Sequence, residues 1–184
     1  MIGGDDNRVQ HVRRVAQSLL LMQCLVLPFA CGGRHLRAQA GTATVQVLEP
    51  KEVESTFPPS VYYRGKTAPI QMRNAAAVRS GKGVFFAGLV DTSGYSSSIQ
   101  ETYQMYLLLE QPTRLGSVTL PAGAYGAGFV GTQFVVMDLG GRKLAEGATQ
   151  LDEHLTRPRP LQIVQPSATE TRLYLGRRWV SVSF

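Results

Sequence analysis

Cysteine is nearly missing from this chain of 184 residues, and both copies, Cys24 and Cys31, fall within the first forty positions. A domain built from the remainder therefore has neither a disulfide nor a thiolate metal ligand. Histidine is as scarce: of three, only His154 lies beyond position 40. Structural zinc needs several His or Cys ligands, and no dense run of Asp offers a calcium loop, so no metal is expected. A Ser–His–Asp arrangement would have to use His154 as its base, and the elbow pattern G-x-S-x-G does not occur. The glycine-rich run that begins at Gly123 is followed by no helical pattern, so no nucleotide cofactor is expected. No internal repeat is visible.

Concentrated charge is missing too. The formal charge of the whole chain is +6, but five of its 19 basic and two of its 13 acidic residues lie in the first forty. Fourteen against eleven remain, a net of +3, and they are scattered apart from Arg157 with Arg159 and Arg177 with Arg178. Nucleic-acid binders gather Lys and Arg on one face, so that class is set aside.

What is present begins with an export signal. Arg8, Arg13 and Arg14 form a basic leader, and 15–30 (VAQSLLLMQCLVLPFA) is apolar. Gln17, Ser18, Gln23 and Pro28 interrupt that run, which falls short of the ~20 residues needed to span a bilayer. Ala38-Gln39-Ala40 then supplies a small-residue site with cleavage before Gly41. Residues 1–40 thus read as a signal peptide and 41–184 as one β-rich domain, with no transmembrane segment after processing. The rival processing is lipid attachment at Cys31, with 27–31 (LPFAC) as a degenerate lipobox; an uncleaved anchor is a further alternative. Export without cysteine points to a bacterial envelope protein, periplasmic or secreted.

Strand-type alternation dominates the rest. The segment 42–48 (TATVQVL) alternates up to Glu49-Pro50, and 68–79 (APIQMRNAAAVR) is ambiguous because its alanines allow a helical turn. In 102–110 (TYQMYLLLE), Tyr103, Met105, Leu107 and Leu109 share one face while Gln104, Tyr106 and Leu108 share the other; a strand this apolar on both sides belongs at the centre of a sheet or lines a cavity. Gly126 and Gly128 leave one face of their strand bare, which suits curvature, a packed aromatic or a close ligand. The turns at 121–123, 131–132 and 140–141 predict a meander, and 176–178 joins the last two strands. Asp152 to Pro160 interrupts the pattern. The expected fold is all-β, an antiparallel β-barrel or two-sheet β-sandwich of roughly 8–10 strands, with the paired glycines inclining toward a barrel.

The carboxylates Asp91, Glu101, Glu110 and Asp138 fall at strand ends or in turns, where acids solvate the backbone, so no catalytic residue is assigned. The aromatics offer more. Tyr95, Tyr103, Tyr125 and Trp179 carry a polar tip on an apolar body, as pocket walls do, and form the candidate ligand-binding set. Leu120 to Tyr125 (LPAGAY), opening a strand after a short turn, resembles a hairpin found in several exported bacterial β-domains of unknown function; the resemblance implies export and a β fold but no activity. The meander is also similar to lipocalin-type barrels, from which this chain departs by placing Trp179 near its end instead of G-x-W near the first strand. The functional expectation is an exported non-enzymatic domain binding a small apolar ligand or an envelope protein. One alternative is a structural or interaction module without a cavity. The other is a hydrolase, which would require the loop Asp91 to Ser98 to lie beside His154.

Overall fold

The structure, a computed structural model, describes residues 44–81 and 83–184. The processing features at Ala38, Ala40, Gly41 and Cys31 lie outside the described residues. The elements follow in the order β1 (Val45–Val47), α1 (Pro50–Thr56), β2 (Ser60–Tyr63), β3 (Lys66–Ser80), β4 (Gly83–Val90), α2 (Ser97–Thr102), β5 (Met105–Leu109), β6 (Thr113–Leu115) and β7 (Val118–Leu120). Then come β8 (Gly123–Val130), β9 (Gln133–Met137), β10 (Lys143–Ala148), β11 (Gln150–Leu151), β12 (Leu161–Ser167), β13 (Glu170–Leu175) and β14 (Arg178–Ser183).

Two antiparallel sheets result. The larger runs β1-β3-β4-β5-β8-β9-β10 with β2 added to β3, and the smaller runs β12-β13-β14-β6-β7 with β11 added to β14. Among the described residues neither sheet closes on itself, so the all-β fold is a sandwich and not the barrel toward which the glycines inclined. More strands form than the spacing predicts, among them β6 and β11, which at three and two residues are too short to show an alternation.

The larger sheet is buried on both faces. Its inner face meets the smaller sheet through Phe85, Met105, Leu107, Leu109, Phe134 and Val136, packed against Leu115, Leu173, Val180 and Val182. Its outer face carries a second core of Phe86, Val90, Tyr106 and Met137, covered by Val53 of α1, Phe57, and Val61 and Tyr63 of β2. Pro50 opens α1 where its missing N–H is no loss. One turn later Val53 points into the outer core, and Phe57 stacks on Phe86 with ring centroids 4.1 Å apart. Residues 84–90 (VFFAGLV) therefore read as nearly continuous apolar chain, since neither face of β4 meets water. The expected central strand, β5, lies between β4 and β8.

Three expectations change. The ambiguous alanine segment is strand, not helix, but one whose register slips between Ile70 and Ala75. Ala68 and Ile70 before the slip, and Ala75 and Ala77 after it, all reach the outer core although their parities differ. A bulge exchanges the faces of a strand, which is why the alternation looked broken. Secondly, Tyr103 does not share a face with Met105: it caps the C-terminus of α2 and turns into the outer core. Thirdly, Pro121 and Ala122 do not close a hairpin of the meander. β7 pairs with β6 and β8 with β5, so the chain changes sheets at this turn. Proline has no N–H to give a ladder, and the Tyr125 hydroxyl folds the corner back by donating to the Pro121 carbonyl at 3.0 Å. The hairpin at 131–132 forms as expected, and the last one forms with a turn of two residues, 176–177, since Arg178, expected in the turn, already belongs to β14.

Candidate functional site

The four aromatic residues singled out from sequence occupy three separate places. Tyr95 and Tyr103 come together on the outer face of the larger sheet, around Tyr63. Tyr125 sits in the inner core, and Trp179 lies on the smaller sheet.

Around Tyr63 the packing is dense. The Tyr103 ring lies flat on Tyr63, with centroids 3.6 Å apart and planes inclined by 10°, and Tyr95 meets Tyr63 edge-on at 6.0 Å. Gly126 and Gly128 explain how Tyr103 and its neighbours reach the sheet. A methyl group at Gly126 would sit 2.5 Å from two Tyr103 ring carbons, and one at Gly128 would collide with the Thr102 carbonyl oxygen. The bare strand face thus accommodates a packed aromatic and the end of α2. Gln104 seals the junction: its side-chain carbonyl accepts the Phe129 N–H at 2.8 Å, and its amide donates to the Glu101 and Phe129 carbonyls. The Tyr95 hydroxyl donates to the Tyr63 carbonyl at 3.0 Å. Tyr63 donates to the Met137 sulfur at 3.7 Å, whereas the buried Tyr103 hydroxyl has no hydrogen-bond partner among the described residues. Burial pushes the Tyr103 phenol well above its ordinary range, and the nearby Tyr63 adds to the effect.

Trp179 belongs to a different construction. The two-residue turn between β13 and β14 sets Tyr174 opposite Trp179, and Gln150 of β11 faces Trp179 from the other side. Arg172, two residues before Tyr174 on the same face of β13, lays its guanidinium over the indole with its central carbon 4.0 Å from the ring centroid. Glu170 accepts from Arg172 Nε at 2.6 Å, and Arg172 Nη1 donates to the Tyr174 hydroxyl at 3.2 Å. That hydroxyl in turn donates to Asp152 Oδ2 at 3.0 Å. The Glu170 hydrogen bond, more than any other cause, holds Arg172 in its charged form, and Tyr174 adds to it. Burial raises the Tyr174 phenol. Every link fixes the next, so the guanidinium is held in one orientation.

An open groove of about 310 Å³ lies on this stack, walled by Gln150, Leu151 and the turn Asp152 to His154. The His154 N–H donates to Asp152 Oδ1 at 3.1 Å, and Arg177 Nη1 braces the turn through the carbonyls of Glu153 and Leu155. A larger hollow of about 570 Å³ beside the β3 bulge is lined by Glu54, Met72 and Arg73 among others. Its side chains lack such a network, the bond from Asn74 to Gln71 excepted. The Trp179 groove is accordingly the better candidate.

Reasoning from sequence found Trp179 but missed Arg172, Tyr174 and Asp152. Part of the signal was there, since Arg172 and Tyr174 alternate on one strand face and the short turn sets their register with Trp179. Asp152 had none, because only the return of β11 to β14 brings it near. The loop Asp91 to Ser98 lies elsewhere: Lys66 Nζ donates to the Gly94 carbonyl, and Ser96 and Ser98 hydrogen-bond to each other. Among the described residues no cluster of His, Cys, Asp and Glu could hold a metal ion, and no helix is long and apolar enough to cross a membrane. No family model, curated protein or solved structure matches this chain.

Proposed function

We propose that this chain is an exported, non-enzymatic recognition module of the cell envelope that binds a partner at its surface. The observation that carries this reading is where the aromatic side chains are spent. Tyr103 and Tyr125, two of the residues expected to wall an apolar ligand site, are consumed by core packing. The preorganised aromatic group, Arg172 on Trp179, instead borders an open polar groove. An interior apolar ligand would have to displace close-packed side chains, at a cost of the order of the 1–3 kcal/mol typical of overpacking a core. The envelope-partner form of the expectation is therefore favoured over the small apolar ligand. Export rests on the basic leader, the interrupted apolar run and the Ala38-Gln39-Ala40 site. The hydrolase alternative loses its support, because the Ser96–Ser98 hydroxyls bond to each other while His154 belongs to the Trp179 groove.

The test is expression of the full chain in a bacterial host with a photo-crosslinking residue in place of the exposed Leu151. We expect a polypeptide starting near Gly41 in the extracytoplasmic fraction, bare of small molecules by native mass spectrometry and crosslinked to an envelope component. Retention of the first forty residues in the cytosol, or a stoichiometric apolar ligand, would contradict the proposal.

A further inference from the structure

We infer that the groove on the Arg172–Trp179 stack binds a neutral oligosaccharide. The inference deepens the reading of the chain as a surface recognition module and rests on it. Three properties of the groove point to this chemistry.

The first is its mixture of donors and acceptors. A guanidinium has five N–H donors. Arg172 uses Nε on Glu170 and one Nη1 hydrogen on Tyr174, so three donors remain on a rigid, planar group. Gln150 adds an amide that both gives and accepts, and the Glu153 carboxylate accepts. A ligand meeting all of these at close spacing needs groups that donate and accept together, as sugar hydroxyls do. A fatty acyl chain or a bare anion could satisfy only a fraction of them.

The second is charge. Arg172, Arg177 and Arg178 stand against Asp152, Glu153 and Glu170 in and immediately behind the groove. The formal charges cancel, so neither sign of ligand gains from the local field. The third is shape. The groove is open, its volume of about 310 Å³ lies at the low end of the ~300–1,000 Å³ of small-molecule sites, and the half-exposed Leu151 offers an apolar strip beside the polar groups. A pyranose ring, polar at its rim and carrying C–H groups on its faces, presents the same alternation.

The chain contains a single tryptophan, and it underlies the groove, so its fluorescence reads the site directly. The intact protein would be titrated with cellobiose, maltose and N,N′-diacetylchitobiose, with digalacturonate as the charged comparison. We expect at least one neutral disaccharide to shift Trp179 emission saturably, with a dissociation constant on the order of 1 mM. Gln150→Ala and Glu153→Gln alter exposed side chains, and each should weaken that binding roughly three- to tenfold while leaving the circular dichroism spectrum unchanged. Arg172→Lys, which keeps the charge but loses the planar fork, should weaken it further. Emission unmoved by all three neutral sugars, digalacturonate binding more tightly than they do, or undiminished affinity in Gln150→Ala would each overturn the inference. If sugars fail while a crosslinker at Leu151 still captures an envelope component, the oligosaccharide is wrong and the recognition module stands. If the chain is found unprocessed in the cytosol, the module itself fails.

Discussion

At the scale of single residues, the two alternating glycines of β8 do the most to shape the outer face. They let another part of the chain lie directly on the sheet. Gly126→Ala should cost about 1–3 kcal/mol, because the added methyl group meets Tyr103 ring carbons at 2.5 Å and that ring is held from behind by Tyr63. Urea unfolding would measure it, with Gly94→Ala as the comparison, since a methyl group there meets nothing within 4 Å. Equal midpoints for the two variants would show that Tyr103 can move aside freely. From sequence, a packed aromatic was one of three readings of the glycine pattern, beside curvature and a close ligand; that the aromatic is Tyr103 was not legible. Tyr103 sits two positions before Met105, and only the helical turn of α2 separates their faces.

At the scale of elements, the hairpin between β2 and β3 carries a conflict between local and tertiary preference. Its two-residue turn places Arg64 at φ 46° and Gly65 at φ 83°. Glycine is at ease there, but an arginine at positive φ costs roughly 1–2 kcal/mol relative to its usual conformations. Two contacts hold it: the Arg64 N–H donates to the Leu139 carbonyl at 3.2 Å, and its stem lies against Gly141. Arg64→Asn keeps the backbone bond and suits the turn, so it should stabilise the protein by up to about 1 kcal/mol, seen as a raised thermal midpoint. A lowered midpoint would mean that the packing of the arginine stem outweighs the backbone strain. Elements whose register runs unbroken, such as β13 against β14, could be read from their alternation. The β3 strand could not, because its slip reverses inward and outward part-way along; nor could α1, a seven-residue helix too short for a periodic pattern to emerge.

At the scale of the molecule, the two cores meet through the larger sheet, and tyrosines fill much of the outer one. Burial raises the phenols of Tyr63, Tyr103 and Tyr106 above their ordinary value of 10.0. A proton held more tightly in the folded chain than in the unfolded one contributes stability that is complete below the unfolded value. It is lost as pH rises through the folded one. The protein should therefore lose stability above about pH 10, with ionisation of the buried tyrosines coinciding with loss of the near-ultraviolet circular dichroism signal. A titration in which all seven tyrosines ionise while that signal persists would show that the outer core admits solvent.

By itself the amino-acid order determined that the chain is β-built, that β5 is central, that a short turn joins its last two strands, and that the domain after position 40 holds no cysteine and a single histidine. Each of these follows from local pattern or composition, which tertiary contacts had no occasion to override. Only the tertiary structure decided that the sheets stay open, that the chain changes sheets at Pro121, and that Tyr103 and Tyr125 serve as core. It alone joined Asp152 to Arg172 and Trp179 across twenty residues and more. The physical reason is common to all four: each depends on which surface meets which after folding, and period-two alternation is indifferent to the identity of the partner.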